Sequence, residues 1–445
     1  MTFIPNIEKK SWNDIFPFIL TLFVISSLAF LFWPGYMSPD SISQLNQGLT
    51  GNYSDHHPPM MSFCWKIFNY IYAGPQVYFV FHLSLLFFSL CILQTIATQM
   101  WLKIVIALIP LIPNIGAYSG ALWKDVGFAY SFLLAGMILT KANVASQKLT
   151  YSKIILILLL LIYGVGVKYQ AQFVLPVMGV WLGLTLVGRK LNFKAVSIAA
   201  GSTIFVLLSV TIFNKALVPT EKEQHSWQIV KLYDLAGIGI RVEKNLFPEF
   251  VTLKDVFSME SVKKLYSPER VDELINAMYK SAPLTLASNE EERNFLWVTW
   301  ANAVLSHPVA YLSHRFSLWL NMISKSPIKP INQLKSFDKI PGTIKVLLNN
   351  GGDTFLCLLR EFSRFSIIFP FLFIYIFLGG CLYSKGNPYG LPLLMMNIAG
   401  MSLLLCLFVF SMAADLRYIY LSTCFLFFSH PLALTAFFDN KKSYS

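Results

Sequence analysis

The sequence predicts an all-α polytopic membrane protein with about ten transmembrane helices, and three observations carry that prediction. Only 13% of the 445 residues are charged, against the roughly 25% usual in soluble domains. The 55% that are hydrophobic gather in runs close to the roughly 20 residues a helix needs to cross hydrocarbon. The gaps between runs alternate between rich and poor in Lys and Arg, as the positive-inside rule requires.

The runs are 16–33, 77–98, 102–117, 126–140, 153–167, 171–188, 195–213, 367–383, 389–411 and 416–436. Several are short, but 153–167 is framed by Lys153 and Lys168, whose long stems can snorkel to the headgroups. Ten spans put both termini on one side. Lys9 and Lys10 precede the first run, and the same side collects Lys103, Lys141, Lys148, Lys153, Arg189, Lys190, Lys194, Lys385, Lys441 and Lys442. The opposite short gaps hold few basic residues, Lys66, Lys124, Lys168 and Arg417. Both termini are therefore expected to be cytoplasmic. The net charge of +12 follows from this bias and needs no nucleic acid. No small-x-small cleavage pattern follows the first run, which is read as an anchor. The six cysteines form no Cys-x-x-Cys pair and lie mostly in apolar stretches, so they read as small core hydrophobes.

Residues 34–76 form the first outer loop. Ser38-Pro39 is an N-cap and N1 pair, predicting a helix from Pro39 to about Leu49 that Gly48 and Gly51 stop. Pro58-Pro59 opens a second, strongly apolar helix suited to the interface plane. A second large non-spanning region covers 214–366. Its 214–300 portion holds 13 of the 23 acids beside 11 basic residues, the composition of a water-exposed, mainly helical surface. There Ser267-Pro268-Glu269 is expected to start one helix, and Ser288-Asn289-Glu290-Glu291 to cap another that breaks at Pro308. The stretch 303–323 carries His314 and Arg315 near its middle and is read as interfacial. Three parts result: 1–213 with about seven spans and outer loops 34–76 and 118–125, the extracytoplasmic region 214–366, and 367–445 with about three spans.

Between residues 15 and 213 there are three carboxylates, Asp40, Asp55 and Asp125, all in gaps assigned to one membrane face. An acid in the first turn of a helix is favoured by about 0.3–1 kcal/mol. That explains any one of them, but not the absence of acids elsewhere. Asp55-His56-His57 reads as a general base, a substrate clamp or part of a metal site, against a plain helix cap. Adjacent histidines point differently, so the two alone are not expected to hold a metal. Trp123-Lys124-Asp125 opens the fourth span as an interface anchor or a functional pair. Lys168, in Lys168-Tyr169-Gln170, either snorkels or meets an anionic lipid phosphate. Asp415-Leu416-Arg417-Tyr418 is an interfacial ion pair or carries a phosphate-binding arginine. Carboxylates and cations on one face suit transfer from a lipid-linked phosphate to a hydroxyl. A flippase would place its ionisable groups nearer the bilayer midplane.

Several segments resemble the GT-C class of glycosyltransferases that use polyprenyl-phosphate sugars, and within it the bacterial and phage O-antigen serotype-converting glucosyltransferases. They are Pro39-Asp40-Ser41 with Gln44 and Gln47, Asp55-His56-His57-Pro58-Pro59, Leu122-Trp123-Lys124-Asp125, Tyr233-Asp234-Leu235-Ala236, His307-Pro308 with Tyr311 and Arg315, and Asp415-Leu416-Arg417-Tyr418. The resemblance implies inverting transfer of a sugar, glucose by analogy, from undecaprenyl-phosphate to a lipid-linked O-antigen or related glycan at the periplasmic face of the bacterial inner membrane. It implies Asp40 as the catalytic base and Asp125 as an acid orienting the acceptor or a metal. It also implies Lys124, Lys168 and Arg417 as ligands of the donor phosphate. Ser41 stands where the paired-acid form of this first loop has a second acid, which leaves the base open between Asp40 and Asp55. Substrate-binding candidates are His56, His57, Gln44, Gln170, Tyr418 and Arg315. The expected partners are the donor, the glycan acceptor and membrane lipids. No metal ligand is assigned, and divalent-metal dependence stays open.

Overall fold

The computed structural model describes residues 12–275, 282–325 and 364–442. Lys9, Lys10 and Cys357 lie outside the described residues, as do 276–281 and 326–363 of the 214–366 region. Everything described is helix, turn or loop, and the described residues form no named strand.

The chain runs through α1 (Trp12–Phe32), α2 (Pro39–Thr50), α3 (Met60–Ile71), α4 (Gln76–Ile96), α5 (Met100–Leu108), α6 (Pro113–Ser119), α7 (Lys124–Val144), α8 (Tyr151–Val167), α9 (Ala171–Leu186) and α10 (Phe193–Leu217). There follow α11 (Trp227–Val242), α12 (Met259–Leu265), α13 (Asp272–Ile275), α14 (Glu290–Ser306) and α15 (Pro308–Ser324). The last group is α16 (Phe365–Ile368), α17 (Pro370–Ser384), α18 (Gly390–Phe410) and α19 (Tyr420–Lys442). Six helical segments are long and apolar enough to cross a membrane: Ile15–Phe32, Gln76–Ile96, Lys124–Val144, Phe193–Leu217, Gly390–Phe410 and Leu416–Asp439. Four shorter apolar helical segments, Met100–Leu111, Tyr151–Val167, Ala171–Leu186 and Pro370–Ser384, fall on the other four expected runs.

α7 is the axis of the bundle. It is buried along most of its length and packs against α4, α8, α9, α18 and α19. A span with no polar stripe to turn toward water can be enclosed all round. α8 approaches it closely at Gly164, where a Cβ would lie 2.5 Å from the Phe132 ring; small residues at such crossings let helix backbones meet.

Three local expectations are corrected. The run 102–117 is not one helix: Pro110 and Pro113 split it into α5, a single 3₁₀ turn (Ile109–Leu111) and α6, as prolines that cannot donate in a helix interior do. Ser267-Pro268-Glu269 starts no helix. It is a turn whose backbone is taken by tertiary partners, since Tyr233 donates to the Ser267 carbonyl at 2.5 Å and Ala414 N–H to the Glu269 carbonyl at 2.7 Å. The cap of α14 lies one residue later than expected. Asn289 accepts from Glu292 N–H at 2.9 Å, and the Glu292 carboxylate accepts from Ser288 N–H at 2.8 Å. The break at Pro308 falls where expected, between α14 and α15.

Candidate active site

The start of α7 and the first loop are stitched together by backbone. Tyr36 N–H donates to the Gly120 carbonyl at 3.0 Å, and Leu122 N–H to the Tyr36 carbonyl at 3.1 Å. Two turns of sequence later the link repeats through a side chain, as Ser41 Oγ donates to the Leu122 carbonyl at 2.6 Å. Ser38 caps α2 and Pro39 occupies its first turn, so Asp40 is carried at a fixed helix end beside Lys124. Ser41 thus has a role sequence reasoning missed. Its only signal was that it stands where a second acid was expected.

Asp40 meets Arg417, Nη1 to Oδ2 3.1 Å, with about a third of its side chain (35%) still exposed. Burial alone would push the Asp40 carboxyl upward, but the charges of Arg417 and Lys124 outweigh it and hold the group below its ordinary range. Arg417 N–H also donates to Asp415 at 3.1 Å, and its Nε lies 3.1 Å from the other Asp415 oxygen. The Arg417 guanidinium lies against the rings of Trp123 and Tyr418.

Lys124 donates to His57 Nδ1 at 2.6 Å. That nitrogen is therefore the acceptor, which leaves the ring proton on Nε2, the atom 3.8 Å from Asp40 Oδ1. Burial and the neighbouring Lys124 ammonium both drive the His57 pKa down, so the ring is neutral. His56 packs against it with ring centroids 4.5 Å apart and meets Ser226 Oγ at 3.3 Å.

Lys168, at the end of α8, forms an ion pair with Asp125; their side chains are 3% and 2% exposed. The second Asp125 oxygen is buried without a hydrogen-bond partner, and the Lys168 ammonium also lies 4.2 Å from the centre of the Tyr418 ring. Lys168 is neutralised by Asp125, and Arg417 is shared between two carboxylates. Among the described residues no carboxylate lies within ion-pair distance of Lys124.

The structure therefore brings Asp40, His57, Lys124, Asp125, Lys168, Arg417 and Tyr418 to one end of the bundle. Gln44 lies close by on α2, fully buried, with its amide nitrogen unpaired. Gln170 occupies the N-cap position of α9 with no capping bond from its side chain. Two expected site residues are engaged otherwise. The Asp55 carboxylate accepts from the backbone N–H groups of Gln224 (2.5 Å) and His225 (3.3 Å), latching the first loop to the segment before α11. Arg315 is fully buried, with Nε 2.6 Å from Asp234 Oδ1 and Nη1 donating to the Ser411 carbonyl at 2.7 Å.

The Arg315 bond belongs to a strap. Residues 411–414, just ahead of Asp415 and Arg417, are held from one side. Val271 N–H donates to the Met412 carbonyl at 3.1 Å, Ala414 N–H to the Glu269 carbonyl at 2.7 Å, and Lys325 to the Ala414 carbonyl at 2.7 Å. Asp234 also accepts from Trp300 Nε1 at 2.8 Å and lies 3.4 Å from His314 Nε2. No group of three or more His, Cys, Asp or Glu converges as a metal site among the described residues.

Fold and composition make this a multi-pass helical membrane protein. Comparison with known protein families, with curated proteins and with solved structures finds no match.

Proposed function

We propose that this protein is an inverting glycosyltransferase of the GT-C kind. In this reading it has ten spans, cytoplasmic termini and a periplasmic active site in the bacterial inner membrane. It moves a sugar, glucose by resemblance, from undecaprenyl-phosphate to a lipid-linked O-antigen or related glycan. The observation that carries the reading is one carboxylate, Asp40, partly open to solvent, paired with Arg417 and within the field of Lys124, at the end of the bundle where Lys168 pairs with Asp125. In the reaction the acceptor hydroxyl attacks the anomeric carbon as Asp40 takes its proton. The bond from that carbon to the phosphate oxygen breaks, and the phosphate leaves with the electron pair. Lys124 and Arg417 stabilise the charge that develops there. Neutral His57 lines the same site, its Nε2 3.8 Å from Asp40 Oδ1. Asp125 holds Lys168 in place in a dry setting. Asp55 is a latch in this scheme, and Arg315 braces the strap.

The test gives the purified protein in nanodiscs undecaprenyl-phosphate glucose labelled in the sugar, with a lipid-linked O-antigen acceptor. Label moves to the acceptor with release of lipid phosphate, and Asp40→Asn abolishes this in a folded protein. A well-folded protein that transfers no sugar from any polyprenyl-phosphate donor would favour a lipid-linked saccharide flippase or an O-antigen polymerase.

A further inference from the structure

Beside this cluster, α11 and α14 build an aromatic surface around one lysine. The Lys231 ammonium lies 3.3 Å from the centre of the Trp297 ring, 4.1 Å from that of Trp300 and 5.0 Å from that of Trp227. Lys231 itself is buried, yet Trp227 is 41% and Trp297 51% exposed. The cation lies over one face of Trp297, so the ring's exposed area is on its far side. Trp300 anchors the group inward through its bond to Asp234. Trp227 and Trp297 meet edge to face, their ring centroids 6.2 Å apart. Isolated surface aromatics need no explanation, but two neighbouring tryptophans in contact form a contiguous apolar patch. Charged and apolar side chains both border the rings: Glu221 and Glu223 precede Trp227, Glu290 and Glu291 open α14, all four exposed, and Phe295 and Val298 beside Trp297 are exposed as well.

The patch lies next to the first loop that carries the candidate active site. Trp227 directly follows Ser226, which meets His56; His56 packs on His57, and His57 faces Asp40. We infer that Trp227 and Trp297, backed by Lys231, are a subsite for sugar rings of the glycan acceptor, some units removed from the hydroxyl that reacts. The inference rests on the glycosyltransferase reading for what the bound glycan is for. Pyranose rings present C–H faces that pack on indole and hydroxyl edges that stay hydrated, which fits aromatic faces rimmed by charge.

The test titrates a panel of delipidated bacterial O-polysaccharides against the full-length protein in nanodiscs. Saturable binding is expected, weakened roughly fivefold to tenfold by Trp297→Ala and largely kept by Trp297→Phe, which retains a stacking face. Equal binding by wild type and Trp297→Ala, or no saturable binding of any polysaccharide by wild type, overturns the subsite. So does quenching of the Trp227 and Trp297 emission by brominated lipids, measured as the difference from Trp227→Phe/Trp297→Phe, because it would put the rings in the bilayer. Binding is read without transfer. A wild type that binds the polysaccharide in the expected way but moves no sugar refutes the enzyme reading and leaves the saccharide subsite in place.

Discussion

Arg417 reaches Asp40 across 377 positions of the chain, Nη1 to Oδ2 at 3.1 Å, while its Nε lies 3.1 Å from Asp415. In the proposed reaction these partners have opposite tasks: Arg417 holds the donor phosphate and Asp40 takes a proton. The contact between them holds the carboxyl below its ordinary range and so makes it a weak base. A phosphate drawn onto Arg417 would loosen that hold, and burial would then raise the basicity of Asp40. In the proposed reaction, donor binding and activation of the base would thus be coupled through Arg417.

That coupling has a sign that pH can read. Asp40 must be ionised to act, and its lowered pKa keeps it ionised to lower pH than a free carboxyl. Arg417→Gln removes a leading lowering influence and leaves burial to act in the other direction. The acid limb of the kcat/KM profile should therefore move to higher pH, and the KM for donor should rise. A limb that stays put in Arg417→Gln would separate the ionisation that controls rate from Asp40.

The Asp125–Lys168 pair is nearly sealed from water. Removing one member of a buried pair strands the other and costs about 3–5 kcal/mol. Lys168→Met should accordingly lower the unfolding temperature in detergent, and Asp125→Asn/Lys168→Met should recover much of the loss. Activity should not return with stability, because the double variant still lacks the Lys168 ammonium that the proposed reaction sets at the site. Recovery of both together would make the pair purely structural.

The strap gives Arg315 a role at a distance from the reacting groups. Arg315→Met leaves Asp234 buried against Trp300 and His314 without its guanidinium, again a loss of about 3–5 kcal/mol. It also frees the Ser411 carbonyl, so Arg417 should be less well placed and the KM for donor should rise. Simple destabilisation would lower the active fraction and leave KM unmoved. Arg315→Lys keeps the charge but not the planar fork, so it should fall between. Gly237→Ala is expected to disturb the same network, since a Cβ there would lie 2.3 Å from His314 Nδ1.

The legible parts of this protein were those set by local chemistry. Apolar runs marked the long helices because hydrocarbon demands length, and scarce acids marked one end of the bundle because so few positions could carry them. Ser38-Pro39 and Gly51 marked α2 because caps are local, and Gly51 does sit at φ 72°. What was hidden depends on distant partners. Ser267-Pro268-Glu269 has the pattern of a helix start, but its backbone is claimed by Tyr233 and Ala414. The stretch 102–117 reads as one run by hydropathy, though Pro110 and Pro113 break it. Arg315 was expected to bind substrate because of the family resemblance. Its partner is Asp234, which no spacing rule connects to it. Lys231 among its tryptophans went unnoticed because its rings come from two helices some 60 residues apart.

The resemblance carries the base to Asp40 and leaves Asp55 as the alternative, and their surroundings predict opposite responses to the same substitution. The Asp55 oxygens accept from two backbone N–H groups, of Gln224 and His225, and an asparagine still offers one carbonyl oxygen to the nearer of these. Asp55→Asn should therefore keep most activity. Asp55→Ala, which loses both bonds at a partly exposed position, should cost roughly 1–2 kcal/mol and loosen the loop. Asp40 lies in a cationic setting where its charge is what the chemistry uses. Asp40→Asn should retain the fold and lower transfer by about 10²–10⁴-fold, the usual worth of a general base. Initial rates for the two asparagine variants, measured side by side at matched amounts of folded protein, decide between them. Loss of transfer in Asp55→Asn with activity kept in Asp40→Asn would move the base to Asp55 and make the Arg417 contact a structural clasp.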